Sequence, residues 1–74
     1  MNRREKFTPL PGRIYRNRGG GEFRCLRCLS EPYHAVMQNT SSGWILVAHG
    51  CGIYPDGTMD WDYSTGGYFP KEER

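Results

Sequence analysis

The apolar residues of this chain come in short patches separated by glycine- and proline-marked turns. "EFRCL" at 22–26 places Phe23 and Cys25 on one face and Glu22 and Arg24 on the other, the pattern of a half-buried strand. "YHAVMQN" (33–39), "TSSG" (40–43) and "WILVAH" (44–49) read as a strand, a turn and a strand, hence a hairpin. Residues 44–48 are apolar on both faces and predict a central strand covered on each side. A rival reading makes Ser30 an N-cap and 31–38 a short helix, with Tyr33, Val36 and Met37 on one stripe. Further on, Pro55-Asp56-Gly57 is a turn: proline presets φ and glycine accepts positive φ. Beyond it Met59, Trp61 and Tyr63 alternate with Thr58, Asp60, Asp62 and Ser64, a strand with Trp61 inward and the carboxylates on a wet face.

The N-terminal stretch has no such period. Residues 1–12 carry Pro9, Pro11 and Gly12 and read as a tail or an irregular strap; "RIYR" at 13–16 is a short strand, and "NRGGGE" at 17–22 a loop. The pattern predicts one small all-β domain over 13–69: an antiparallel sheet of four to five strands, SH3-like or an open barrel. An irregular N-terminal arm (1–12) and a charged tail (70–74) flank it.

Length makes that domain marginal. A chain of 74 residues buries only about 60% of its unfolded surface, and such a core supplies roughly 3–5 kcal/mol. A metal, a disulfide or a partner subunit would therefore meet a need. No apolar run approaches the roughly 20 residues of a membrane span, and the N-terminus lacks the apolar segment of a secretory signal. The expectation is a cytoplasmic protein with reduced thiols, and three cysteines argue against a closed disulfide framework.

Charge is unevenly spread. Residues 1–27 carry a net of +6 and residues 28–74 a net of −4. Arg13, Arg16, Arg18, Arg24 and Arg27 are the candidate partner-binding residues, suited to phosphates or to an acidic protein surface. A solvated basic tail that keeps a small domain soluble is the plain alternative. The chain also holds two Trp, five Tyr and three Phe, more than a sheet of this size can bury, so some should be exposed for contact with a partner.

Cys25, Cys28, His49 and Cys51 give C-x2-C-x20-H-x-C, a candidate set for a structural zinc. His34 could replace His49 in that set. Apolar burial competes with this reading, because free cysteine packs as a small hydrophobe and each of the first two cysteines has a leucine beside it. Asp60 and Asp62 read as solvated carboxylates. No nucleophile, base and orienting group can be assembled, so no enzyme is expected. The three glycines at 19–21 match no phosphate loop.

"AVMQNTSSGWILVAHGCGIYPDGTMDWDYSTGGYF", residues 35–69, with "GGGEFRC" before it, resembles a group of small proteins encoded on phages and mobile elements of Gram-positive bacteria. "SGW", "AHG", "DGT", "WDYS" and "TGG" carry the likeness. It implies a mobile-element setting and no particular chemistry. That setting includes inhibitors of host defence, notably anti-CRISPR proteins. The expected function is accordingly a non-enzymatic binding protein, an anti-CRISPR acting on a CRISPR effector nuclease by docking aromatic and basic side chains on the effector or its guide RNA. The alternatives are a zinc-ribbon-like nucleic-acid binder, or a structural or regulatory subunit dimerising through a sheet edge.

Overall fold

A computed structural model describes residues 4–68. The chain is all-β. Among the described residues eight strands form one sheet: β1 (Glu5–Lys6), β2 (Ile14–Asn17), β3 (Glu22–Cys28), β4 (His34–Asn39), β5 (Ile45–His49), β6 (Gly52–Ile53), β7 (Thr58–Asp60) and β8 (Tyr63–Tyr68). Their spatial order is β1-β6-β7-β2-β3-β4-β5-β8, and the sheet does not close into a barrel. All pairs are antiparallel except β2 with β7, which run parallel. No helix long and apolar enough to cross a membrane occurs among the described residues.

The predicted hairpin at 33–49 is β4 and β5, paired from His34↔His49 to Gln38↔Ile45. Its six-residue first arm is therefore strand rather than helix. The Pro-Asp-Gly turn closes the β6–β7 hairpin: Gly57 has φ +92° and donates its N–H to the Tyr54 carbonyl at 2.9 Å. The sequence pattern predicts four or five strands; the others are two- and three-residue pieces, too short to show a period.

Two expectations are altered. The arm before residue 13 loses its tail reading over its described part and keeps the strap one. Glu5 and Lys6 pair with β6, Phe7 donates its N–H to the Cys51 carbonyl, and Pro9 is among the largest fully buried side chains. Opposite it, Tyr33 adopts φ +68°, donates to Thr8 Oγ1 at 3.1 Å and accepts from the Cys51 N–H at 2.7 Å. The prolines and glycine that disguise this segment let it bend over the core without regular pairing. The remainder of that arm (1–3) and the predicted tail at 70–74 lie outside the described residues.

The second change is at 58–64. Sequence alternation reads these residues as one strand, but the chain breaks at Trp61–Asp62: β7 lies between β6 and β2, whereas β8 is the edge strand beside β5. Asp62 donates its N–H to the His49 carbonyl at 2.8 Å, which turns the chain from β7 toward β5. Trp61 stays inside, edge-on to Phe23 at 5.1 Å, whereas Tyr63 moves to the other face and is 59% exposed.

One face of the sheet holds the core: Cys25, Ala35, Met37, Ala48, Cys51 and Met59 are fully buried, with Phe7, Tyr15, Phe23, Leu46 and Trp61 packed against them. Met59 on β7 and Met37 on β4 share this cluster although β2 and β3 lie between their strands. The sheet must curl around the cluster to bring them together.

Candidate functional site

The site begins with one extra residue. In a regular strand, residues three apart face opposite ways. On β3, however, Arg24 pairs with Gln38, Cys25 with Met37, Arg27 with Val36 and Cys28 with Ala35, leaving Leu26 as a β-bulge. The bulge resets the alternation. Cys25 and Cys28 both face the core side, and Arg24 and Arg27 both face outward.

Cross-strand partners share a face, so the registers define the outer surface. From β2 come Ile14 and Arg16, from β3 Arg24 and Arg27, from β4 Val36 and Gln38. Ile45, Val47 and His49 continue it on β5, and Tyr63 and Thr65 on β8. The doubly apolar strand predicted at 44–48 is thus β5, with a core on one side and this outer surface on the other. No helix or second sheet covers it among the described residues. Even so, Val36 and Ile45 are only 7% exposed, whereas Ile14 is 47% exposed at the margin.

The five candidate arginines divide. Arg16, Arg24 and Arg27 are exposed on the outer face and make no side-chain ion pair among the described residues. Glu22, opposite Arg16, is a carboxylate on the same face. Arg18 is committed elsewhere: its guanidinium lies 4.0 Å over the Tyr54 ring and 3.6 Å from Asp56. Arg13 precedes β2 and is exposed; its carbonyl accepts from the Cys25 N–H at 2.9 Å.

At the far end of the outer face three rings converge. His49 stacks on Tyr63, centroids 4.5 Å apart and planes 10° from parallel, and His34 meets His49 edge-on at 4.9 Å. Hydrogen bonds set both imidazoles. His49 Nε2 lies 2.8 Å from Thr65 Oγ1, and His34 Nδ1 lies 2.8 Å from the Pro32 carbonyl, with Glu31 3.7 Å from its Nε2. Nothing in the chain's pattern links Tyr63 to the two histidines, because the proximity of the three rings follows from the β4–β5–β8 register.

The proposed zinc ligands do not converge. Cys25 and Cys51 are fully buried in the core cluster, and Cys28 is half-buried, its Sγ 3.0 Å from the Pro9 carbonyl. His49 lies on the opposite face of the sheet, and so does His34, its cross-strand partner. No group of three or more metal-ligating side chains is arranged to hold an ion among the described residues. Burial pushes the Cys25 thiol up to about 11, with neighbouring Cys28 adding to it, and the Cys51 thiol up to about 12, with Cys25 adding to it. Such thiols stay protonated at neutral pH and pack as small apolar groups.

Asp60 and Asp62 are not freely solvated either. Arg4 Nε donates to Asp60 Oδ1 at 2.6 Å, and its other nitrogen reaches Asp62 at 3.1 Å and the Gly50 carbonyl. Tyr54 donates to the second Asp60 oxygen at 2.9 Å. That hydrogen bond holds the Tyr54 hydroxyl above its ordinary pKa. Burial alone would lower the Arg4 pKa, but Asp60 and Asp62 together hold it above its usual value.

Comparison with family models, characterised proteins and solved structures finds no match. The reading of the outer face therefore rests on its own chemistry.

Proposed function

We propose that this is a non-enzymatic binding protein whose working surface is the outer face of the sheet, and that it inhibits a nucleic-acid-targeting bacterial defence nuclease by binding it stoichiometrically. The supporting observation is the bulge at Leu26, which puts Arg24 and Arg27 on the face that carries Arg16 and the exposed Ile14. A sheet face carrying exposed arginines and an open tyrosine has the composition of a binding hot spot, where a few Arg and Tyr side chains dominate the energy. The resemblance to mobile-element proteins supplies the defence-inhibitor setting and suggests a CRISPR effector as the target.

The test is titration of purified CRISPR effector complexes, assembled with guide RNA, while target cleavage is followed. Cleavage should fall to zero near equimolar protein, with no turnover, and R24E/R27E should lose the effect while keeping its fold. Undiminished cleavage by every effector at large molar excess removes this reading.

A further inference from the structure

The arginine pair and the aromatic cluster occupy the same face, and together they specify a ligand more narrowly than either does alone. We infer that the outer face binds single-stranded nucleic acid, with phosphates on Arg24 and Arg27 and a base stacked on Tyr63. This inference rests on the reading of that face as the working surface and names what it touches.

The case for an anion is charge complementarity. Arg24 and Arg27 are exposed and project from one strand without an ion pair among the described residues. Their partners Gln38 and Val36 are two residues apart on β4, so the arginines stand roughly 7 Å apart along the sheet. That is a step comparable with successive phosphates of an extended strand. Among the described residues the carboxylates near this face are Glu22, two positions from Arg24 on β3 and across from Arg16, and Glu31, which lies 3.7 Å from His34 at the far end; neither pairs with Arg24 or Arg27.

The case for a base is the tyrosine. Tyr63 is 59% exposed, and His49 stacks against one side of its ring. The stack, braced by His34 edge-on to His49, fixes one side of the tyrosine ring while the side chain keeps 59% of its exposure. Base–aromatic stacking tolerates any sequence and needs an unpaired base. Arg27 on β3 and Tyr63 on β8 are three strand spacings apart, about 14 Å, a span a few nucleotides of single strand can bridge. A duplex keeps its bases stacked inside and offers nothing to Tyr63.

The experiment is fluorescence anisotropy with labelled 20-nucleotide single-stranded RNA and DNA, and with the duplex of the same sequence, over a salt series. Wild-type protein should bind the single strands, with log K falling against log salt at a slope of about −1.4 for two phosphates. R24A/R27A should flatten that slope, and Y63A should weaken binding roughly tenfold with the slope retained. R13E, off this face, should change affinity by less than R24E or R27E. Equal affinity for the duplex, no change in R24A/R27A, or no binding of either single strand at low salt each overturns the inference. Should no oligonucleotide bind while R24E/R27E still abolishes nuclease inhibition, the face docks protein and the proposed function survives without this inference. Oligonucleotide binding with no effector inhibited has the reverse meaning. Near-ultraviolet circular dichroism of each variant separates lost contacts from lost folding.

Discussion

Arg4 and Asp60 are 56 positions apart in the chain, yet the Arg4 Nε lies 2.6 Å from the Asp60 carboxylate. The contact fastens the N-terminal strap to the β6–β7 hairpin, and Tyr54 satisfies the second carboxylate oxygen. Arg4→Met keeps most of the stem volume and removes the donors, leaving a partly covered carboxylate short of partners. Hydrogen bonds to charged groups contribute about 1.5–3 kcal/mol. The side chains retain 25% and 34% of their exposure, so the loss should fall at the low end of that range. Urea unfolding of the variant beside wild type reads it directly. An unchanged midpoint would class the pair with surface ion pairs of little worth.

Gly50 and Gly43 make a matched comparison. Both have positive φ, +73° and +81°, but a Cβ at Gly50 would overlap the Asp62 carboxylate whereas one at Gly43 meets nothing within 4 Å. Gly43→Ala should therefore cost only the backbone term, about 1–2 kcal/mol. Gly50→Ala should cost more, because Asp62 must also leave Arg4. Equal losses in thermal melts of the two variants would mean that Asp62 yields freely.

The three thiols should differ in reactivity. Cys28 is half-buried, whereas Cys25 and Cys51 are inaccessible and strongly protonated. In the native protein a thiol reagent should modify Cys28 first and the other two only at the rate of unfolding. Stability should also fall at alkaline pH. The unfolded thiols lose protons near the ordinary value of 9.0, while folded Cys25 and Cys51 hold theirs to about 11 and about 12. The thiols' share of stability is thus intact below pH 9 and is lost as pH rises through those folded values. Cys51→Ala should weaken that alkaline dependence; an identical pH profile would show that the thiol is not its source.

Leu26 is the extra residue of the β3 bulge, which makes its deletion informative. Without it, Arg24, Cys25, Arg27 and Cys28 would alternate as a regular strand with the same faces, so the core residues stay inside. Deleting Val47 from the regular β4–β5 pairing instead inverts part of β5 and sends either Leu46 or Ala48 outward. Circular dichroism and thermal melts should show a folded Leu26 deletion and an unfolded Val47 deletion. If the Leu26 deletion also unfolds, the twist imparted by the bulge is required for the sheet to curl.

The local features were legible because neighbouring residues carry them. The β4–β5 hairpin, the Pro-Asp-Gly turn, the β-strand character of 22–26 and the inward Trp61 all follow from short-range alternation and turn chemistry. Residues 1–12 could be read only as a tail or a strap, since Arg4 and Phe7 find their hydrogen-bond partners more than forty positions later, at Gly50, Cys51 and Asp60.

For the site, the sequence determined which side chains were available: arginines in the first third, two histidines, three cysteines and surplus aromatics. Tertiary structure decided which of them meet. One unpaired residue at Leu26 sends Arg24 and Arg27 to the same side, and the break at Asp62 lifts Tyr63 out of the core onto His49. The Cys25–Cys28 spacing looks like a metal knuckle in the chain, but it becomes core packing once the bulge turns both thiols inward and the pleat turns His49 away. Side-chain direction in a sheet alternates with every residue, so a single insertion or a change of strand partner reassigns chemistry that composition alone leaves open.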